Sequence, residues 1–331
     1  MAVGRDTEFS DAINEKEIDE FPQADIEKYI EMFEDLAKEV HKPSAEDILP
    51  LENTQELYDE MATIIQALID LNVNSNNVYK FLRAKGLDRV VAPNMRIPYT
   101  PLRRLLLILA KQLMDIAPAT TKAVIPVAIL DNLLEIFDND PSINIKAYAL
   151  DILDLWLPGS PKMQARVMKL KGLDPFYRQI SNLDVTAIHT LLNLFNKILD
   201  EHIKARSDGV KNKGNEDLLI YQRIGLLERM STAHVCNGLL NIFETSLPFI
   251  PNAGQIITSM FELVRKIKPF CMNVYKGKSK PIEVFSELFQ FVTNPSNEKV
   301  FHKYGANITD IYGVLEKYVQ ELKYVAMKDE L

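Results

Sequence analysis

Apolar and polar positions alternate with a helical rhythm along most of this chain, and the rhythm itself repeats. Leu102, Leu105, Leu106 and Leu109 lie three and four residues apart, as do Leu191, Leu194, Phe195 and Ile198. Such spacing puts an apolar stripe on one face of a helix. Gly86-Leu87-Asp88, Ile129-Leu130-Asp131 and Gly172-Leu173-Asp174 place Leu-Asp at one phase three times, 43 residues apart. Pro98 and Pro141 share that spacing, as do Pro118 and Pro161. A period of about 40–47 residues is that of armadillo and HEAT solenoids, whose units are two or three helices.

The punctuation of each unit has a physical reading. Gly86 and Gly172 are expected to take positive φ and end one helix. The Asp that follows then sits in the first turn of the next helix, where the helix dipole favours an anion. Ile97-Pro98 and Asp140-Pro141 stop the short helices, because proline disfavours a helical residue before it. Long helices are expected over about 99–116, 142–157 and 184–203. Asp25 to Val40 and Glu52 to Leu71 read as two further amphipathic helices. Helices resume near 217–246, 252–276, 281–293 and 308–325 after the polar segment Ser207 to Asn215.

The fold expected is therefore all-α: an armadillo/HEAT-like, right-handed solenoid of about four repeats with helical caps. Its parts are an acidic arm (1–24), N-terminal capping helices (25–72), repeats (73–206), a loop (207–216), a fourth repeat with the C-terminal cap (217–325), and a tail (326–331).

Composition agrees with this organisation. Glycine is scarce, 12 in 331 residues, and 47% of the chain is hydrophobic, enough for an extended core. The longest apolar runs, Leu105 to Ala110 and Val124 to Leu130, fall far short of the ~18 residues of a membrane span. The net charge of −8 is unevenly placed: residues 1–50 hold 15 acids against 5 bases. An acidic head on a nearly neutral body argues against nucleic acid, which requires a basic stripe.

A search for chemistry gives little. Gly277-Lys278-Ser279 resembles the end of a phosphate-binding loop, but position 272, where that motif needs glycine, is methionine. It reads as a basic loop between helices. The five histidines (41, 189, 202, 234 and 302) show no metal-ligand spacing, so no metal or other cofactor is expected. His234 and Cys236 are two residues apart, which on a helix turns them to different sides. Trp156 reads as packing. With no catalytic set, the chain is expected to be a binding protein and not an enzyme.

Two polar columns follow the repeat. Arg103, Lys146 and His189 share one phase of the long helices, and Lys111, Asp154 and Lys197 share another. In stacked repeats such columns become ladders on one face, often the concave binding face; equally, every helix needs a solvated side. If the ladder binds a partner, Arg103, Lys146 and His189 are the contact residues, with Lys111, Asp154 and Lys197 behind them.

The chain ends Lys328-Asp329-Glu330-Leu331, an address for return to the endoplasmic reticulum (ER) through a retrieval receptor. The opening residues, Met1 to Ser10, lack the apolar stretch of a signal peptide. A mature form with Met1 added reconciles the two; a fortuitous terminus on a cytosolic armadillo adaptor is the alternative. In an oxidising lumen Cys236 and Cys271 are a candidate disulfide, or else two buried small hydrophobes. Asn307-Ile308-Thr309 is a candidate glycan acceptor.

Three blocks carry a family resemblance: Phe81-Leu-Arg-Ala-Lys-Gly-Leu87, Val167-Met-Lys-Leu-Lys-Gly-Leu173 and Tyr221-Gln-Arg-Ile-Gly-Leu-Leu227. Cys236 and Leu239-Leu240 follow the last of them. Over residues 25–325, and most of all over 75–250, the chain resembles the ER-lumenal nucleotide exchange factors of the SIL family. Those are armadillo-type co-chaperones of the lumenal heat-shock-70 chaperone BiP. The resemblance implies a protein without an active site that grips the chaperone's nucleotide-binding domain, opens its cleft and promotes ADP release; nothing in the sequence indicates an oligomer, so a monomer is expected. A lumenal scaffold without exchange activity shares the solenoid and the retrieval signal. Some members of the family carry an N-terminal cysteine pair with a reductant role; no cysteine precedes Cys236, so that role is not carried over. The acidic arm resembles the family's head segment, which implies competition for the chaperone's client-binding domain.

Overall fold

The computed structural model of the chain describes residues 26–40, 51–208, 216–251 and 253–329. The acidic arm (1–24) and residues 209–215 of the predicted loop lie outside them. Among the described residues every regular element is helical. The order is α1 (Ile26–Val40), α2 (Leu51–Leu71), α3 (Ser75–Arg83), a π-turn (Leu87–Val91) running into α4 (Ala92–Asn94), α5 (Thr100–Ile116), α6 (Pro118–Val124), α7 (Val127–Asn139) and α8 (Ile143–Trp156). There follow α9 (Pro161–Leu170), α10 (Asp174–Gln179), α11 (Val185–Asp208), α12 (Glu216–Ile224), α13 (Leu226–Met230), α14 (Ala233–Ser246) and α15 (Gly254–Tyr275). The chain closes with α16 (Ser279–Thr293), α17 (Glu298–Lys303) and α18 (Ile308–Asp329).

The long helices begin and end within a residue or two of their expected limits, except that α11 runs on to Asp208. Local chemistry explains the boundaries. Proline occupies the first turn of α5, α6, α9 and α10, where its missing N–H costs nothing. The Ser142 hydroxyl accepts from the Ile145 amide at the start of α8, and the Thr232 hydroxyl from the Val235 amide at the start of α14.

Packing turns these helices into a solenoid. The long helix of each unit lies along that of the next, in the order α2, α5, α8, α11, α15 and α18. The shorter helices stack in parallel, α7 on α10 and α10 on α14, with α9 against α12 on the remaining side. Three helices per unit, stacked unit on unit, make this an armadillo-like helical repeat architecture. The helices α1 and α2 close the N-terminal end, and α16 to α18 close the other.

The apolar stripes point where the periodicity placed them. Leu102, Leu106 and Leu109 of α5, and Leu191, Leu194 and Phe195 of α11, are buried. Leu105 and Ile198 sit at the margin, half-buried. Each fully buried side chain of this size stabilises by about 1.5–3 kcal/mol. Phe137, Phe176 and Phe195 form a chain of rings, with centroids 5.2 and 6.1 Å apart, that joins the second unit to the third. Trp156 is 2% exposed and serves packing, as expected. No helix of the described residues is long and apolar enough to cross a membrane.

One expectation about the turns needs correction. Gly172 has φ +65°, but Gly86 is helical at φ −57°, and the left-handed residue of that turn is Lys85 at φ +58°. Gly86 is there for space: a Cβ on it would stand 2.3 Å from the ring of Phe81. Glycine marks both turns in the sequence, for a dihedral in one and for clearance in the other.

The sulfurs of Cys236 and Cys271 are bonded at 2.12 Å, with their Cα atoms 5.4 Å apart. The bridge ties α14 to α15 within the fourth unit, and both residues are fully buried. It closes a loop across 35 residues of sequence, for which chain entropy gives about 4 kcal/mol. A Cys236→Ala/Cys271→Ala variant is expected to lose about 2–4 kcal/mol in guanidinium unfolding. An unchanged midpoint would show that the fourth unit does not depend on its bridge.

His202 of α11 is a buried imidazole where the third and fourth units meet. It hydrogen-bonds Gln164 at 3.1 Å, and the Tyr221 ring stands edge-on to it at 4.8 Å. Burial pulls its pKa down to about 4 from the ordinary 6.5, against a smaller upward pull from Glu228. Between those two values the unfolded chain takes up a proton that the folded chain refuses. Stability is therefore full above pH 6.5 and falls as pH drops toward 4, by about 3 kcal/mol from this group. Replacing His202 with Gln should flatten the pH dependence of the unfolding midpoint between pH 6.5 and 4. An unaltered slope would place the acid sensitivity elsewhere.

Candidate functional site

The six ladder positions do fall on successive long helices, but most of their polar ends are engaged between repeats. Arg103 of α5 is 9% exposed. Its guanidinium donates to the Ile97 carbonyl at 2.7 Å and the Thr100 hydroxyl at 3.2 Å, and pairs with Asp140 of the second unit at 3.0 Å. Lys146 of α8 is 7% exposed and donates to the Asp138 carbonyl at 3.1 Å and to Gln179 of the third unit at 2.6 Å. Burial lowers the Lys146 pKa, with Asp138 and Asp140 pulling the other way. These two residues join each unit to the next and do not face solvent, so the expectation that they contact a partner is corrected. A column of polar residues at a constant phase has a third reading besides solvated face and binding ladder, that of an internal fastener.

Asp138 is the hub of this seam. Its carbonyl also accepts from Gln179 at 2.8 Å, and its carboxylate receives Arg178 at 2.9 Å and Lys171 at 3.2 Å. Burial pushes its pKa up, but the hydrogen bonds from Arg178 and Lys171 outweigh that and hold it below the usual carboxylate range. Residues of the second and third units thus share one buried network.

His189 is half-buried beside Asn193 of its own helix, whose amide nitrogen is 3.2 Å from Nε2. Burial lowers its pKa. The second column is shallower. Lys197 donates to Asp154 at 2.8 Å, two residues one 43-residue period apart and therefore adjacent on α11 and α8. Lys111 pairs with Asp151 at 3.7 Å. The same logic joins α5 to α2, where Gln112 donates to the Ile69 carbonyl across 43 residues at 3.0 Å.

What faces outward between α5 and α8 is a groove lined by Arg104, Asn144, Ala147, Tyr148 and Asp151. The Arg104 guanidinium stands 6.0 Å from the centroid of the Tyr148 ring, in cation–π range. Arg104 is exposed and makes no ion pair among the described residues. At the N-terminal end of the same helix row Tyr58 and Tyr99 stack at 5.4 Å, and the Tyr99 hydroxyl donates to Asp59 at 2.5 Å. An exposed arginine over a tyrosine, with a stacked tyrosine pair nearby, has the composition of a protein-binding surface. The sequence reading missed these residues by one position in phase. Arg104, Ala147 and Thr190 are themselves 43 residues apart, so the period contains them, but their mixed chemistry does not announce a column.

The remaining candidates are placed plainly. Asn307 is exposed at the start of α18, where its side-chain oxygen accepts from the Asp310 amide at 3.3 Å. Of the expected retrieval signal, Lys328 and Asp329 end α18, and Glu330 and Leu331 lie outside the described residues. His234 is exposed and hydrogen-bonds Asp174 in the first turn of α10, while Cys236 two residues on is buried. Gly277 (φ +72°) to Ser279 form the turn between α15 and α16. Among the described residues no group of three or more His, Cys, Asp or Glu is disposed to hold a metal ion.

No protein-family model and no curated protein sequence matches the chain. Among solved structures it is similar to a designed armadillo repeat protein in complex with peptide (KR)4, at 10% identity and a TM-score of 0.43. That likeness covers 87% of this chain and 99% of the designed one.

Two neighbouring arginines separate fastener from surface. Arg103→Ala strands Asp140, whose side chain is 6% exposed, and should cost about 3–5 kcal/mol in chemical denaturation. Arg104→Ala should change stability by less than about 0.5 kcal/mol. Equal effects of the two would overturn the assignment.

Proposed function

We propose that this chain is a nucleotide exchange factor of the ER lumen, acting on the heat-shock-70 chaperone BiP. One observation carries the reading. The three blocks that resemble the SIL family occupy the same place in three units. Each ends a short helix, passes through a left-handed residue (Lys85 at +58°, Gly172 at +65°, Gly225 at +61°) and enters the next short helix. Their order, their shared role in the repeat and the terminal Lys328-Asp329-Glu330-Leu331 support the family and the compartment together. The retrieval receptor is the second partner that this terminus implies.

The activity needs no chemistry from this chain. A rigid solenoid that binds the chaperone's nucleotide-binding domain better with its cleft open shifts the population toward the open state. By linkage, ADP and the solenoid then weaken each other by the same factor, typically about 5–150-fold. ATP binding drives the reverse change and releases both client and factor. The exposed groove around Arg104, Asn144 and Tyr148 supplies contact residues for this role, with the buried seam beneath holding its shape.

The test is the release rate of a fluorescent ADP analogue from BiP, chased with excess ATP, with and without this protein. A saturable acceleration is expected, and Arg104→Glu or Tyr148→Ala should raise the concentration for half-effect about tenfold while leaving the unfolding midpoint alone. An unaccelerated release by folded protein would leave a lumenal scaffold that binds without exchanging nucleotide.

A further inference from the structure

Where α9 packs on α12 the surface chemistry changes. A groove there is lined by Lys162, Lys169, Arg223 and Arg229, over a floor of Ala165, Met168, Ile220 and Ile224. Lys169, Arg223 and Arg229 are exposed and form no ion pair among the described residues. Lys162 alone has a carboxylate nearby, Glu216 at 3.7 Å, with both side chains largely exposed. Three unpartnered cations around an apolar floor fit an extended segment that is both acidic and apolar.

Beneath the floor the packing is incomplete. An apolar cavity between the third and fourth units shares Met168 and Ile224 with the groove and reaches in to Leu199 and His202. Methionine is unbranched and repacks readily, so Met168 is a floor that an inserted ring can displace. A charged rim around a yielding apolar base is the layout of an anchor site.

The chain carries a segment of matching chemistry. Residues 1–25 hold eight acids against two bases, interspersed with Phe9, Ile13, Ile18 and Phe21. The first described helix starts at Ile26 and packs on α2, and three steps along the long-helix row (α2, α5, α8, α11) lead to the helix that packs on α12 beside the groove. At about 8–10 Å per packed helix the distance is roughly 30 Å, while 25 extended residues span up to about 80 Å.

We propose that residues 1–25 dock in cis on the basic groove between α9 and α12, with carboxylates on Lys169, Arg223 and Arg229 and an aromatic ring on Met168 and Ile224. The contact shares no residue with the groove between α5 and α8, so it stands or falls independently of nucleotide exchange.

Zero-length carbodiimide coupling of the full chain, read by mass spectrometry, tests it. Amide links from carboxylates of residues 6–25 to Lys162 or Lys169 are expected in the monomer. They should be lost at about 1 M salt, where the screening length is near 3 Å. Arg223→Glu/Arg229→Glu should abolish them, and so should Phe9→Ala/Phe21→Ala, two residues outside the described helices. Links found only in a dimer, or spread evenly over lysines all around the solenoid, or persisting in both variants, would overturn the proposal.

Discussion

A unit of three helices has more apolar surface than it can bury by itself, and everything else in this molecule follows from sharing that surface with the next unit. The row α2, α5, α8, α11, α15 and α18 is the physical form of that sharing. Each long helix is covered on two sides by its neighbours in the row, which is why its apolar stripe is wide and its ends are strictly punctuated. Rings of Phe137, Phe176 and Phe195 cross from the second unit into the third. The ends of the row need caps for the same reason.

Burial alone would let the units slide, because an apolar seam has little register of its own. The polar seam supplies it. Arg103 with Asp140, Lys146 with Gln179, and the hub at Asp138 meet only when adjacent units are in one alignment. A misaligned pair would leave buried charges without partners, at a cost of several kcal/mol each. Register held in this way fixes the spacing of the residues the row exposes. A surface that recognises a folded domain depends on that spacing more than on any single contact.

Two sides of the solenoid then differ in character. The long-helix side offers an arginine over a tyrosine between α5 and α8. The α9–α12 side offers exposed cations over an apolar floor.

The 43-residue period, the proline and glycine punctuation and the apolar spacing determined the all-α repeat fold and the helix limits from sequence alone. These are local or periodic signals, and a helix reads them within a few turns. The direction in which a polar residue points was decided only by tertiary structure. Arg103 and Arg104 are adjacent and chemically alike, yet one is buried against Asp140 and the other is exposed beside Tyr148. Gly86 and Gly172 look equivalent, yet one makes room for a ring and the other takes a left-handed turn. Cys236 and Cys271 became a bridge because α14 and α15 lie side by side. In each case the answer depends on a neighbour dozens of residues away, and a one-dimensional pattern records the phase of a residue but not what faces it.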